Sequence, residues 1–102
     1  MRIHFIAIGG SIMHSLAIAL KANGHIVSGS DDQIFDPAKS KLAQHGLLPE
    51  DGWNPDKVHK DLDAVILGMH AFTDNPELKR AQELDLPIYS YPEFVAKTAT
   101  HK

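Results

Sequence analysis

The 102-residue chain contains no cysteine. Disulfides, thiolate metal sites, iron–sulfur clusters and cysteine nucleophiles are therefore excluded together, and the absence fits a reducing compartment. An excess of charge of either sign is lacking. Ten basic residues against thirteen acidic ones leave a formal net charge of −3, so the basic footprint of a nucleic-acid binder is missing. Long hydrophobic runs are missing too. The opening MRIHFIAIGG meets glycine after a short apolar stretch, too short for a signal-peptide core or a membrane span. These absences describe a soluble, cytoplasmic protein that engages neither nucleic acid nor membrane. Two catalytic signatures are also lacking: there is no G-x-x-x-x-G-K-[ST] phosphate loop and no G-x-S-x-G nucleophile elbow. Seven histidines are present (His4, His14, His25, His45, His59, His70 and His101). None forms an H-x₃-H pair beside an acid on one helix, so no metal site is expected.

What is present is a regular rhythm of short apolar runs and helical patterns. At roughly 100–200 residues per domain the chain is one domain. Ile3–Ile8 is an apolar, partly β-branched run ending at Gly9-Gly10, the pattern of a buried strand. In the stretch from Ser11 to Asn23, Ile12, Met13, Leu16, Ala17 and Leu20 share one helical face, and Gly24 stops the helix. His25–Ser30 is a second strand, ending in Asp31-Asp32. A second helix is expected from Pro37 to His45, capped by Asp36 and closed by Gly46. Leu47–Lys60 holds Pro49, Gly52, Trp53 and Pro55, and is expected to form a short edge strand, loops and one helical turn. Asp63–Met69 is the strongest later strand. Asn75-Pro76 opens a third helix with Leu78, Ala81 and Leu84 on one face. Pro87–Ser90 is a last short strand, and Ser90 with Glu93 forms a capping box for a final helix carrying Phe94 and Val95.

Strands alternating with helices predict an α/β fold. Right-handed crossovers make it a Rossmann-like, doubly wound parallel sheet of four or five strands with helices on both faces. Ligands of such sheets bind at the carboxyl ends of the strands, near the switch in strand order. Four segments meet that edge: Gly9–Met13, Ser30–Phe35, Met69–Asn75 and the loop after Ser90.

Gly9-Gly10-Ser11-Ile12-Met13 leaves a strand and opens a helix. Glycine lets a ligand approach the backbone closely, and the free amides of a helix start attract anions. A branched residue at Gly10 is expected to block that approach. The segment departs from G-x-G-x-x-G, because Ala7 and Ile12 stand where a dinucleotide fingerprint has glycine. Asp31 lies about 20 residues further on, where dinucleotide folds carry an acid that holds a ribose hydroxyl. It equally suits an N–H of a base, or a solvated turn. His70 follows the strongest strand and faces the expected crevice, whereas Asn75 is expected to cap the third helix. Met13 and Met69 are read as packing residues that flank the site.

The stretches IHFIAIGGSIMHSLA and GHIVSGSD resemble the N-terminal domain of the Mur ligases. The resemblance is to the group that attaches L-alanine to UDP-N-acetylmuramate, with its HFIGIGG-x-GM-S opening and VSGSD strand. Ile12 in place of a third glycine, Ile34-Phe35-Asp36-Pro37, and Met69-His70-Ala71 through Asp74-Asn75-Pro76-Glu77 resemble most the members that recycle muropeptides. The resemblance covers nearly all of residues 1–102. It implies a UDP-N-acetylmuramate-binding domain, with Gly9, Gly10, Ser11, Ile12 and Met13 cradling the diphosphate, Asp31 near the uridine, and Met69, His70 and Ala71 along the uracil and ribose. It implies that ATP, magnesium and the incoming L-alanine or peptide belong to other domains of the same ligase, in peptidoglycan biosynthesis or recycling. On that reading the chain has no catalytic residue and no cofactor of its own. A second reading keeps the fold and changes the ligand, to an NAD(P)-binding or NAD(P)-sensing Rossmann domain. Asp31 favours it, and the missing third glycine counts against it. A purely structural domain is the third reading, and the polar ligand edge counts against that.

Overall fold

Alternation along the first strand decides the layering. In β1 (Arg2–Ile6), Ile3 and Phe5 point to one side of the sheet, and His4 and Ile6 to the other; all four are fully buried. A strand buried on both faces needs cover on both. A computed structural model, which describes residues 1–68 and 74–99, supplies that cover. The parallel sheet contains β2 (Ile26–Ser30), β1, β3 (Ala64–Leu67) and β4 (Ile88–Ser90), in the order β2-β1-β3-β4. Ile3 and Phe5 pack with α1 (Ser11–Ala22), α2 (Ala38–Gln44) and α4 (Tyr91–Ala99) through Met13, Ala17, Leu42 and Phe94. Ile6 packs with Val58, Leu62 and Val65, and with Leu78 and Ala81 of α3 (Pro76–Glu83). The chain first crosses from β1 to β2, then returns past β1 to β3. The strand order thus switches at β1, and a crevice opens at the carboxyl ends of β1 and β3. The expected fold is the one formed, with four strands. Among the described residues no helix is long and apolar enough to cross a membrane.

Local chemistry explains most boundaries. Gly24 and Gly46 take φ of 93° and 69° just past α1 and α2, the left-handed geometry that ends a helix. Asn75 Oδ1 accepts from the Glu77 and Leu78 amides at 2.8 and 3.2 Å, and Pro76 follows as the first residue of α3. At α4 the capping box closes as expected. The Ser90 amide donates to Glu93 Oε1 at 2.9 Å, and the Glu93 amide donates to Ser90 Oγ at 3.3 Å.

Three expectations change. Ile12 was placed on the buried face of α1 but is 54% exposed. The sheet takes Met13, Ala17 and Leu20, and Ile12 is turned about 100° from Met13 on the helix. The second helix starts at Ala38, one residue late, while Asp36 accepts from the amide and hydroxyl of Ser40 at 2.8 and 2.6 Å. No fifth strand forms within 47–60. Pro49 and Pro55 lack the amide a ladder needs, and Gly52 turns the chain at φ 103°. Only isolated bridges join Asp51 and Gly52 to Asp31, and a short 3-10 helix, Pro55–Lys57, follows. Lys57 Nζ from this segment donates to the Gly29 carbonyl at 3.0 Å, covering the edge strand β2.

One buried contact was not expected from the sequence. His4 Nε2 lies 2.6 Å from Glu77 Oε1, with both side chains fully buried. A carboxylate can only accept, so Nε2 carries the proton. His4 Nδ1 meets Ser28 Oγ at 2.8 Å, and Glu77 Oε2 accepts the Asn54 amide at 2.7 Å. Burial pushes the Glu77 carboxyl up. The hydrogen bond from His4, the neighbouring Ser30 hydroxyl and the Asn54 amide outweigh it and hold the group below its ordinary value of 4.5. The Ser30 hydroxyl acts here as a nearby dipole, since it makes no hydrogen bond of acceptable geometry. The unfolded carboxyl binds its proton first as pH falls. The stabilisation is therefore complete above pH 4.5 and is lost as acid approaches the folded value. Urea unfolding should show stability declining below pH 4.5, with a smaller decline in Glu77→Leu. That variant, which orphans the His4 and Asn54 N–H groups, should lose about 2–5 kcal/mol at neutral pH. A loss below about 1 kcal/mol would mean that the pair is not a structural tie.

Candidate functional site

The end of β1 turns sharply before α1 begins. Ala7 adopts φ 72°, a left-handed conformation that costs a non-glycine residue about 1–2 kcal/mol. The Ala7 and Ile8 amides both donate to the Ser30 carbonyl, at 2.8 and 3.1 Å, which fixes the turn against β2. Across the crevice, a Cβ added to Gly68 would stand 2.8 Å from the Ala7 methyl. Glycine at 68 thus makes room for alanine at 7. The Gly68 amide also donates to the Ile6 carbonyl at 2.8 Å, continuing the ladder to the crevice floor.

The two glycines that follow have different jobs. The Gly9 amide donates to Asp31 Oδ2 at 2.8 Å. A Cβ on Gly9 would meet that same oxygen at 2.8 Å and Ile34 Cγ1 at 2.9 Å. Gly9 is therefore required by packing alone. Gly10 is the N-cap of α1 with φ −60° and ψ 150°, which any residue adopts. A Cβ there would come no nearer than 3.4 Å, to Met13 Cγ. The fold does not demand glycine at this position, and the block expected from a branched residue at Gly10 would act on a ligand rather than on the backbone.

The start of α1 is bare. Gly10 supplies no side-chain cap, and no acid occupies the first turn. The first amide used inside the helix is that of His14, donating to the Gly10 carbonyl at 2.9 Å. The amides of Ser11, Ile12 and Met13 precede it and have no intrahelical acceptor. α3 and α4 carry Glu77 and Glu93 in their first turns and are capped by Asn75 and Ser90. His14 is buried, with Nδ1 donating to the Gly10 carbonyl at 2.9 Å, and its Nε2 has no partner among the described residues.

These features border a cleft of about 620 Å³ at the carboxyl edge of the sheet. Gly9, Gly10, Ser11, Ile12, Met13 and Asp31, all singled out from the sequence, line it together. Met69, His70 and Ala71 lie outside the described residues. Met13 also packs into the core, as its apolar character suggested. Asp31 is occupied by the loop: besides the Gly9 amide on Oδ2, its Oδ1 accepts the Asp32 amide at 2.8 Å. Tyr91 and Pro92 also line the cleft, from the loop after Ser90 that the sequence placed at this edge, as do Leu67 and Gly68 at the end of β3; sequence reasoning singled out neither Leu67 nor Tyr91 as a side chain of the site. Among the described residues neither lysine nor arginine lines the cleft, so an anion there would rely on backbone amides and the α1 dipole. Among the described residues, no group of three histidine, aspartate or glutamate side chains could hold a metal ion.

Comparisons with known proteins bear on the family and the fold. A family model described as "Mur ligase family, catalytic domain" matches residues 2–102. The UDP-N-acetylmuramate–L-alanine ligase of Lactiplantibacillus plantarum is 38% identical over 96 residues, which is 92% of this chain and 21% of that protein. The crystal structure of the UDP-N-acetylmuramate–alanine ligase of Thermotoga maritima superposes with a TM-score of 0.86 at 30% identity, covering 98% of this chain and 23% of that one. A murein peptide ligase from Psychrobacter arcticus gives a TM-score of 0.83 at 31% identity, covering 95% and 20%. The chain spans about a fifth of the length of the curated relatives it matches.

The contrast between the glycines is directly testable. Gly9→Ala should lower unfolding free energy by about 1–3 kcal/mol, the usual cost of overpacking. Gly10→Ala should fold and lose no more than about 1 kcal/mol, by placing a poor capping residue at the N-cap. Equal stability of the two variants in thermal melts would refute the assignment of Gly9 to packing.

Proposed function

The chain belongs to the Mur ligase family, and we propose that its cleft binds the UDP moiety of UDP-N-acetylmuramate. In this reading Gly9, Gly10, Ser11, Ile12 and Met13 form the diphosphate cradle. Asp31 borders the uridine and fixes the Gly9 turn, and Met69, His70 and Ala71 run along the uracil and ribose. The observation that carries it is the bare start of α1, which opens into the cleft at the point where strand order reverses. The amides and dipole there favour a phosphate without a lysine, and the absent side chain of Gly10 leaves the helix start open to close approach.

The domain's part in the reaction is to bind and orient. The chain serves a larger, cytoplasmic, ATP-dependent ligase that joins the muramoyl carboxylate to L-alanine or to a peptide, in peptidoglycan synthesis or recycling. ATP with magnesium supplies the activation of that carboxylate. The residues here do not fit that pair: the sequence has no phosphate-loop lysine, and among the described residues no cationic side chain lines the cleft. No step through ATP or magnesium is assigned to them. The remaining domains of the ligase are the chain's partners.

An NAD(P)-binding role is the reading to set against this one, since Asp31 stands at the end of β2 as it would in a dinucleotide fold. Both Asp31 oxygens already hold backbone amides, and Ile12 occupies the third glycine position. An amide-shift NMR titration separates the two. UDP-N-acetylmuramate and UDP at millimolar concentration should shift Gly9–Met13 saturably, while NAD and ATP should not. Silence from both uridine ligands, or a response to NAD alone, would sink the proposal.

A further inference from the structure

We propose that Tyr91 is the residue against which the sugar of the bound nucleotide-sugar packs, and that it sets the preference for the sugar-bearing ligand over the bare nucleotide. The proposal rests on the UDP-binding reading above and adds a position for the part of the ligand beyond the diphosphate.

The order of residues along the sheet edge carries the argument. The strands run β2-β1-β3-β4. Asp31 follows β2, the glycine turn follows β1, Gly68 follows β3 and Tyr91 follows β4. Neighbouring strands are about 4.8 Å apart, so the edge from Asp31 to Tyr91 spans three spacings, or roughly 14 Å. A nucleotide-sugar is itself a line of nucleoside, diphosphate and sugar. With the diphosphate at the start of α1 and the nucleoside toward Asp31, the next group lies over β3 and β4, where the ring of Tyr91 stands.

The surroundings of Tyr91 suit a sugar. Beyond the cleft a second groove of about 560 Å³ continues between α1 and α4. Ser11, Ile12 and Tyr91 line both hollows, so the two adjoin. The groove adds Ser15, Leu16 and Ala19 and has no charged residue in its lining. Uncharged walls with hydroxyls at the rim suit the uncharged ring and hydroxyls of a sugar. The Ser15 hydroxyl donates to the Ser11 carbonyl at 3.2 Å, which leaves its oxygen able to accept. An aromatic ring presents a flat, electron-rich face to the C–H face of a pyranose.

The ring is also held in place beforehand. Tyr91 is the first residue of α4, with Ser90 and Glu93 locking the turn at 2.9 and 3.3 Å and Pro92 next in the chain. On its inner side Tyr91 packs against the buried cluster containing Phe94. A contact group ordered in advance loses little freedom on binding.

The test is calorimetric titration of the 102-residue chain with UDP and with UDP-N-acetylmuramate, reading the ratio of the two Kd values within each variant. The native chain should prefer the sugar-bearing ligand. Tyr91→Ala should shrink that preference about tenfold, equivalent to about 1.4 kcal/mol, and Tyr91→Phe should retain it. A preference unchanged in Tyr91→Ala, or absent from the native chain while UDP binds, overturns the proposal and leaves the UDP reading standing. Failure of the native chain to bind UDP overturns both. Transferred NOEs between the Tyr91 ring protons and the sugar protons of the native complex provide a readout independent of any variant. Their absence from a saturated complex also overturns the proposal.

Discussion

The Gly9 amide and the Asp31 carboxylate meet across 2.8 Å, and the ligand edge of the sheet is organised around that bond. It joins the exits of two neighbouring strands whose last residues, Ile6 and Ser30, are in register. With the first glycine fixed there, the second falls at the N-cap of α1, and the free amides of the helix begin at the crevice. The adjoining positions are just as constrained. Ala7 takes a left-handed turn whose methyl fills the space above Gly68, and its amide is anchored on Ser30. A change at any of these residues moves the start of α1. The geometry of this turn is therefore a property of three strand ends together and not of the glycine motif alone.

Electrostatically this arrangement works against itself in part. The carboxylate that organises the turn sits beside the place where an anion would bind. Two backbone amides already engage it, and charge-assisted bonds of that kind satisfy much of a carboxylate's demand for donors. The dipole of a 12-residue helix contributes roughly half a positive charge at its start, and its effect is confined to the first turn. Attraction at this helix start is thus short in range and depends on fit. The shape of the Gly9–Met13 turn matters more to the site than the net charge of the chain.

Much of this was legible in the sequence where the signal was local. The apolar runs gave the four strands, Asn75 and Ser90 with Glu93 marked helix starts, and Gly24 and Gly46 marked helix ends. That Gly9–Met13 and Asp31 meet at one cleft was legible because a strand, a glycine pair and a helix follow one another within a dozen positions. The remainder required contacts that no local pattern encodes. Apolarity put Ile12 on the buried face, but which stripe faces the sheet is set by how the helix docks. Prolines hid the absence of a fifth strand, because one segment can be extended without being paired. Tyr91 joins the cleft only when β4 is laid beside β3. His4 and Glu77 lie 73 positions apart, and each alone has the polarity of a surface residue.

That last separation bears on how the chain comes to fold. β1 precedes the other three strands in sequence, yet it lies inside the sheet, paired on one side with β2 and on the other with β3. Its polar residue has no acceptor for Nε2–H until Glu77 arrives with the first turn of α3. During synthesis at about 5–20 residues per second, the early βαβ half therefore waits several seconds with an unsatisfied imidazole where the sheet must later be dry. The earliest of the four strands in sequence is thus sealed on its polar side only when the first turn of α3 docks.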